Sequence, residues 1–271
     1  SEICIRYRAK TVVILIVVSV SGFAMDLSRL VQVYEYTPYS TRGTKSITDV
    51  TTKPAEQSNE EAYQYNTNWS FSPGEVLTFI IPSYYGFGNS TYNGPLTQNR
   101  DTQVNTYFGQ MPFTHTAMYM GIIVLVLALF AMFTCWKNPI VKFLTILIVL
   151  SVFISFGRNF SLIFDLMYNT VPFFNKFRSP ATILNIVQIT MPILAGFGLL
   201  KLKEIKESNN VKLIALVRNT AFVFAGLLIL SFIMSGAFAD FLIERVGASP
   251  KGGNLKALFP YMGELFANDI K

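Results

Sequence analysis

Five long apolar segments run through this chain, and the stretches between them are alternately basic and not basic. No other feature restricts the fold as much. In a bilayer core every backbone N–H and C=O must be satisfied within the protein, so such segments have to be helices. They are residues 11–25, 116–136, 143–157, 181–200 and 219–239. About 20 apolar residues span a bilayer core, and fewer suffice where flanking side chains snorkel. The second, fourth and fifth segments reach that length; the shorter first and third require snorkelling or local thinning. Lys and Arg then orient the chain. Arg6, Arg8 and Lys10 precede the first segment, and Lys137 and Lys142 separate the second from the third. Lys201, Lys203, Lys206, Lys212 and Arg218 separate the fourth from the fifth. Five crossings bring all three groups to one side, which the positive-inside rule makes cytoplasmic, together with the N-terminus. The predicted fold class is all-α, a polytopic transmembrane helical bundle of about five spans. The remaining parts are a cytoplasmic basic tail at 1–10, a long extracytoplasmic loop at 26–115, an extracytoplasmic interfacial segment at 158–180, a cytoplasmic connector at 201–218 and an extracytoplasmic segment at 240–271.

Charged residues make up 14% of the chain, well below the quarter or so usual in soluble proteins. The net charge of +6 would suggest nucleic-acid binding in a soluble chain. Here the cations sit in connectors, where they orient helices and meet anionic lipid, so the expected partners are membrane lipids and not nucleic acid. Cys4 and Cys135 both fall on the reducing side, and the single histidine, His115, rules out a multi-histidine zinc site. The chain begins without an initiator Met and enters a span directly from a basic tail, which suggests a piece of a longer multi-pass protein.

Local signals place short elements between the spans. Residues 41–61 are polar and read as exposed loop. Ser72 and Glu75 have capping-box spacing and Pro73 suits the first helical position, which predicts an interfacial helix over 73–81, stopped by Pro82. An aromatic, turn-rich stretch follows at 82–89. Residues 160–168 are amphipathic, and Ser179 with Pro180 predicts an N-cap opening the fourth span. Residues 201–207 extend that span, 208–210 break it, and 211–218 read as a surface helix leading into the fifth.

Three constellations carry possible chemistry. Arg158, Lys176 and Arg178 all fall at the outer face, Arg178 beside a helix N-terminus, where a lipid-linked phosphate would place its charge. The plainer reading is snorkelling against headgroups. Among the acidic residues, Glu75, Asp26 and Asp165 are candidates to take a proton or to hold a divalent metal. None belongs to a tight DxD pair. Glu75 has a structural explanation as cap partner, Asp26 as the end of a span, and Asp165 as the wet side of a helix. Third, the outer loop is dense in aromatics, including Trp69, Tyr84, Tyr85 and Tyr107. Sugar rings stack on such faces, although Trp and Tyr also gather at membrane interfaces without any ligand.

Three motifs then occur in order: Tyr34-Glu-Tyr-Thr-Pro-Tyr-Ser-Thr-Arg-Gly43, Trp69-Ser-Phe-Ser-Pro-Gly-Glu75 and Asn175-Lys-Phe-Arg-Ser-Pro180. Together they resemble the YfhO family of bacterial multi-pass membrane proteins, in its Bacteroidetes flavour. That family is similar to GT-C glycosyltransferases, which use polyprenyl-phosphate sugars at the outer face of the bacterial inner membrane. The resemblance matches Glu75, Arg178 and Pro180 to family elements. It implies a catalytic carboxylate in an earlier outer loop of a longer protein. The expectation is therefore part of a GT-C-like glycosyltransferase that moves a sugar from a polyprenyl phosphate to an envelope acceptor. Arg178, Arg158 and Lys176 would bind the lipid phosphate, and Trp69, Tyr84 and Tyr85 would contact sugar. A lipid-linked-sugar flippase or a non-catalytic assembly protein is the alternative.

Overall fold

The computed structural model describes residues 2–36, 55–114, 118–172, 174–208 and 211–270. These are mostly helical, and the chain divides into two bodies, residues 1–65 and 66–271.

In the first body, α1 (Glu2–Met25) and α2 (Leu27–Tyr36) meet at Asp26 with a bend of 60°. Residues 11–20 are largely Val and Ile, weak helix formers in water. In lipid the helix is still the only local way to satisfy the backbone. Side chains along this run are exposed, Ile14 and Val18 at 61% and 62%. In α2 the apolar Leu27, Leu30, Val31 and Tyr34 recur at helical spacing, with Arg29, Gln32 and Glu35 between them. α3 (Ala55–Thr67) continues into the second body. It takes up the end of the stretch expected to be loop at 41–61; the rest of that stretch, to residue 54, lies outside the described residues.

In the second body, α4 (Ile122–Thr134), α5 (Pro139–Ser155) and α7 (Leu184–Glu207) pack together. α5 begins where Asn138 Oδ1 accepts the Ile140 N–H at 2.9 Å and Pro139 takes the first position. It buries Val141, Leu144, Ile148 and Ser151, while Phe143, Ile146 and Val149 face outward. α7 likewise buries Leu184, Val187 and Leu194 and exposes Ile189 and Leu200. Apolar side chains on both faces suit a lipid surround. In its absence of a hydrophobic drive between helices, close packing relies on small residues. Gly198 supplies one: a Cβ there would overlap the Leu127 carbonyl of α4. α8 (Val211–Ile233) is apolar all round beyond Arg218 and Asn219, with none of its apolar window buried.

Two helices are long and apolar enough to cross a membrane, Pro180–Glu207 and α8. The number rises to four if two bent pairs each count as one span: α1 with α2, and α5 with 157–170, bent by 108°. The expectation of about five spans therefore stands at two to four among the described residues, and the reasons are local. The segment at 116–136 yields only the 13-residue α4, about 20 Å long. Gly121 turns the chain at φ +89°, and Met118 and Met120 pack on the core ahead of the helix. His115 lies outside the described residues. The third segment starts earlier, at Pro139, and ends before Gly157, whose φ of +45° redirects the chain. The fifth shifts from 219–239 to α8, because nothing interrupts the helix at Arg218; 211–218 is its first part and not a separate surface helix. The break comes at Met234. Among the described residues the all-α class has one exception, a short antiparallel pair of β1 (Ser90–Tyr92) and β2 (Thr102–Val104), with Thr91 opposite Gln103.

Three sequence-distant segments close one end of the helices. Phe71 N–H donates to Ser155 O at 2.8 Å, Asn159 Nδ2 to Phe71 O at 2.9 Å, and Ala181 N–H to Trp69 O at 3.1 Å. α6 (Ser161–Thr170) follows from the same corner. After α8, α9 (Ser235–Ala248), α10 (Gly252–Leu255) and α11 (Phe259–Ile270) pack through Leu242, Met262 and Phe266 on Tyr84 and Phe108. Ser83 N–H donates to Asp269 Oδ2 at 3.0 Å, and the Tyr92 hydroxyl donates to Glu264. Residues 66–114, 157–183 and 235–270 thus meet at one end of the bundle. Lys137 and Lys142, at the start of α5, and Lys206, in the last turn of α7, lie at the other.

Gly198→Ala should lower the stability of the detergent-solubilised chain by about 1–3 kcal/mol, the cost of overpacking. Gly196→Ala, two residues away in open space, should leave it unchanged or slightly raised. Thermal melting of both variants checks this.

Candidate functional site

Beneath the closed end lies a cavity of about 290 Å³. Each wall comes from a different stretch of chain. Trp69 and Phe71 follow α3, Glu75 and Thr78 lie on the turn Pro73–Phe79, and Tyr85 on the aromatic loop. Tyr107, Met111 and Phe113 follow the β pair, and Ser179, Thr182 and Asn185 open α7.

Glu75 is the charged side chain of this lining and is 1% exposed. The predicted cap partner is in place: Ser72 N–H donates to Glu75 Oε2 at 2.6 Å, and Glu75 N–H returns to Ser72 O at 2.9 Å. The element it starts is a 3₁₀ helix, Pro73–Phe79, and not the longer helix expected over 73–81. The other carboxylate oxygen accepts the Tyr107 hydroxyl at 2.6 Å, which in turn accepts Met111 N–H at 3.1 Å. Lys251 Nζ donates to Met111 O at 2.8 Å and lies 4.6 Å from the centre of the Tyr107 ring. The group joins residues 72, 75, 107, 111 and 251, brought from three parts of the chain. Gly109 permits it, since a Cβ there would run into the Tyr107 hydroxyl and Glu75 Oε1.

Burial raises the Glu75 carboxyl above its usual range, against the hydrogen bonds from Tyr107 and Ser72 and the Lys251 charge, which pull it down. Burial and the neighbouring Glu75 also raise the Tyr107 phenol. Lys251 is lowered by burial, with the Glu75 charge opposing.

Arg178 reaches the cavity wall by stacking: its guanidinium carbon lies 4.4 Å from the centre of the Trp69 ring. Phe113 meets the same ring edge-on at 5.5 Å. Ser179 occupies the left-handed region at φ +65°, unusual for a residue with a side chain. Its hydroxyl is not the predicted N-cap. Thr182 donates both its N–H, at 2.9 Å, and its hydroxyl, at 2.6 Å, to the Ser179 carbonyl, starting the 3₁₀ turn Pro180–Ile183 that leads into α7.

The other expected site residues are dispersed. Arg158 is exposed and away from the cavity; its backbone N–H donates to Ser70 Oγ at 3.3 Å. The side chain of Lys176 lies outside the described residues. Asp165 sits half-buried on α6, off the cavity, and Asp26 marks the α1–α2 corner in the first body. Tyr85 lines the cavity and stacks on Phe108, but Tyr84 does not: it is buried in the neighbouring cluster, where its hydroxyl accepts from Arg245. So Glu75, Trp69, Tyr85 and Arg178 come together, while Arg158, Asp165 and Tyr84 stand apart. Lys251, which sequence reasoning missed, gives no local signal; it follows a Ser-Pro turn and is placed by α9. Among the described residues no three of His, Cys, Asp and Glu gather closely enough to hold a metal ion. No protein-family model, curated protein or solved structure matches the chain.

Because the folded Glu75 carboxyl keeps its proton to higher pH than the unfolded one, stability should fall as pH rises above about 4.5, through the raised value. Glu75→Gln should flatten that slope in thermal melts taken at rising pH above about 4.5. Glu75→Ala strands the Ser72 N–H and the Tyr107 hydroxyl and should cost about 1–3 kcal/mol for each.

Proposed function

We propose that the chain is part of a polytopic membrane glycosyltransferase of the GT-C kind, with the cavity beneath the closed end holding the saccharide of a polyprenyl-phosphate donor. In this reading the protein resides in the bacterial inner membrane and passes the sugar to an envelope acceptor on the outer face. The observation that carries the reading is the cavity's lining. Aromatic faces at Trp69, Phe71, Tyr85 and Tyr107 stand beside hydrogen-bonding groups at Thr78, Thr182 and Asn185. A sugar ring offers apolar C–H faces and hydroxyl edges, and such a wall suits both. A guanidinium stacked on Trp69 supplies the cation a phosphate needs at the edge of the same cavity.

In a transfer of this class, an acceptor hydroxyl attacks the anomeric carbon and the lipid phosphate departs. Arg178 would bind that phosphate and stabilise the charge it gains on leaving. Glu75 already accepts from Ser72 and Tyr107 and holds its proton more firmly than an ordinary carboxyl, so its part is to position Tyr107 and the Ser72 turn. Proton abstraction falls to another carboxylate, as the family resemblance implies.

The test uses the full chain in lipid nanodiscs, titrated with short polyprenyl-phosphate glucose and mannose and with the polyprenyl phosphate alone. Trp69→Ala should weaken the sugar-bearing lipids by about tenfold, or 1.4 kcal/mol, and spare the bare phosphate. Arg178→Ala should weaken all three. Equal affinities in the wild type and both variants would overturn the reading.

A further inference from the structure

A second, almost wholly apolar groove of about 450 Å³ lies at the α8–α9 corner. Leu227 and Leu230 from α8, Met234, Ala237 and Phe241 around the bend, and Ile81 from the closed end line it. The volume lies within the range of about 300–1,000 Å³ typical of ligand sites. Two observations say what fills it. The groove continues the surface of α8, the helix whose apolar window has no buried residue, a surface suited to hydrocarbon. Arg245 lies one helical turn beyond Phe241, outside the groove's lining. Met234, Ala237, Phe241 and Arg245 recur at helical spacing along one face, with Asp240 and Glu244 on its flank. Arg245 donates to the Tyr84 hydroxyl and lies 5.5 Å from that ring's centre, and Tyr84 packs on Phe238 of the groove wall.

We propose that this groove is a binding site for an anionic phospholipid of the surrounding bilayer. One acyl chain lies along Leu230, Met234 and Phe241, and the phosphate pairs with Arg245. The arrangement suits an amphiphile: an apolar trough and, one helical turn beyond it, a guanidinium that the buried Tyr84 holds in place. Arg suits that end because its planar fork takes two phosphate oxygens at once. Ile81, in the groove wall, directly precedes Pro82, which lines the saccharide cavity, so an occupied groove would brace the segment that separates the two sites. The proposal needs α8 to be in a membrane; it does not depend on the sugar chemistry.

The experiment is native mass spectrometry of the full chain released from nanodiscs of phosphatidylglycerol or of phosphatidylcholine. The wild type should keep one phosphatidylglycerol through detergent stripping and hold phosphatidylcholine at least tenfold less. Arg245→Gln should lose that preference and Arg245→Lys keep part of it. Ala237→Trp, which fills the trough, should abolish retention of both lipids. If Ala237→Trp no longer melts cooperatively, the surface pair at Arg245 decides alone. Equal retention of the two lipids by the wild type, or unchanged retention in Arg245→Gln, would overturn the proposal.

Discussion

The closed end of the molecule depends on one buried carboxyl group. Glu75 accepts from the backbone of its own turn and from Tyr107, and Tyr107 holds Met111, whose carbonyl takes Lys251. A carboxyl at 1% exposure is costly unless its oxygens are satisfied, and here both are. That requirement is what brings the Pro73–Phe79 turn, the stretch after the β pair and the C-terminal helices to a single point. The cavity is the space left around this junction, so its shape inherits the junction's rigidity.

A second constraint acts from outside. α8 and the outer faces of α5 and α7 carry Phe, Ile and Leu where a water-soluble protein would carry charge. Such faces suit a lipid surround, in which burying apolar area between helices gains little and close approach at small residues such as Gly198 counts for more. Polar networks therefore collect at the closed end, outside the apolar zone. The candidate chemistry collects there too: Glu75, Tyr107, Arg178 and Lys251 all belong to that end.

Much of this was legible in the chain. The apolar runs mark α1, α5, α7 and α8, because a stretch without charges has few other places to go. Ser72 and Glu75 announce their turn, since a cap depends on residues three apart. Pro180 marks a helix start for the same local reason. The failures are equally physical. The 13-residue α4 is short because Gly121 takes a left-handed turn while Met118 and Met120 are drawn onto the core, a tertiary preference that apolar composition hides. Ser179 has the composition of a cap, yet its backbone sits at φ +65° and it is its carbonyl, not its hydroxyl, that takes the Thr182 bonds. Tyr84 and Tyr85 are adjacent in sequence and look equivalent; successive side chains in a turn diverge, and one faces the cavity while the other faces Arg245.

The sequence by itself determined the helical class and the apolar character of the long helices. These follow from hydrophobicity and charge, which act residue by residue. Tertiary structure alone decided that Glu75, Tyr107 and Lys251 form one group and that Arg178 joins it through Trp69. It also decided that Arg158 and Asp165 stay outside and that α9 to α11 fold back over the aromatic loop. Those outcomes depend on contacts between residues up to 186 positions apart, as between Ser83 and Asp269. No local pattern encodes such a contact, because the partner that satisfies a buried polar group is selected by packing and not by spacing.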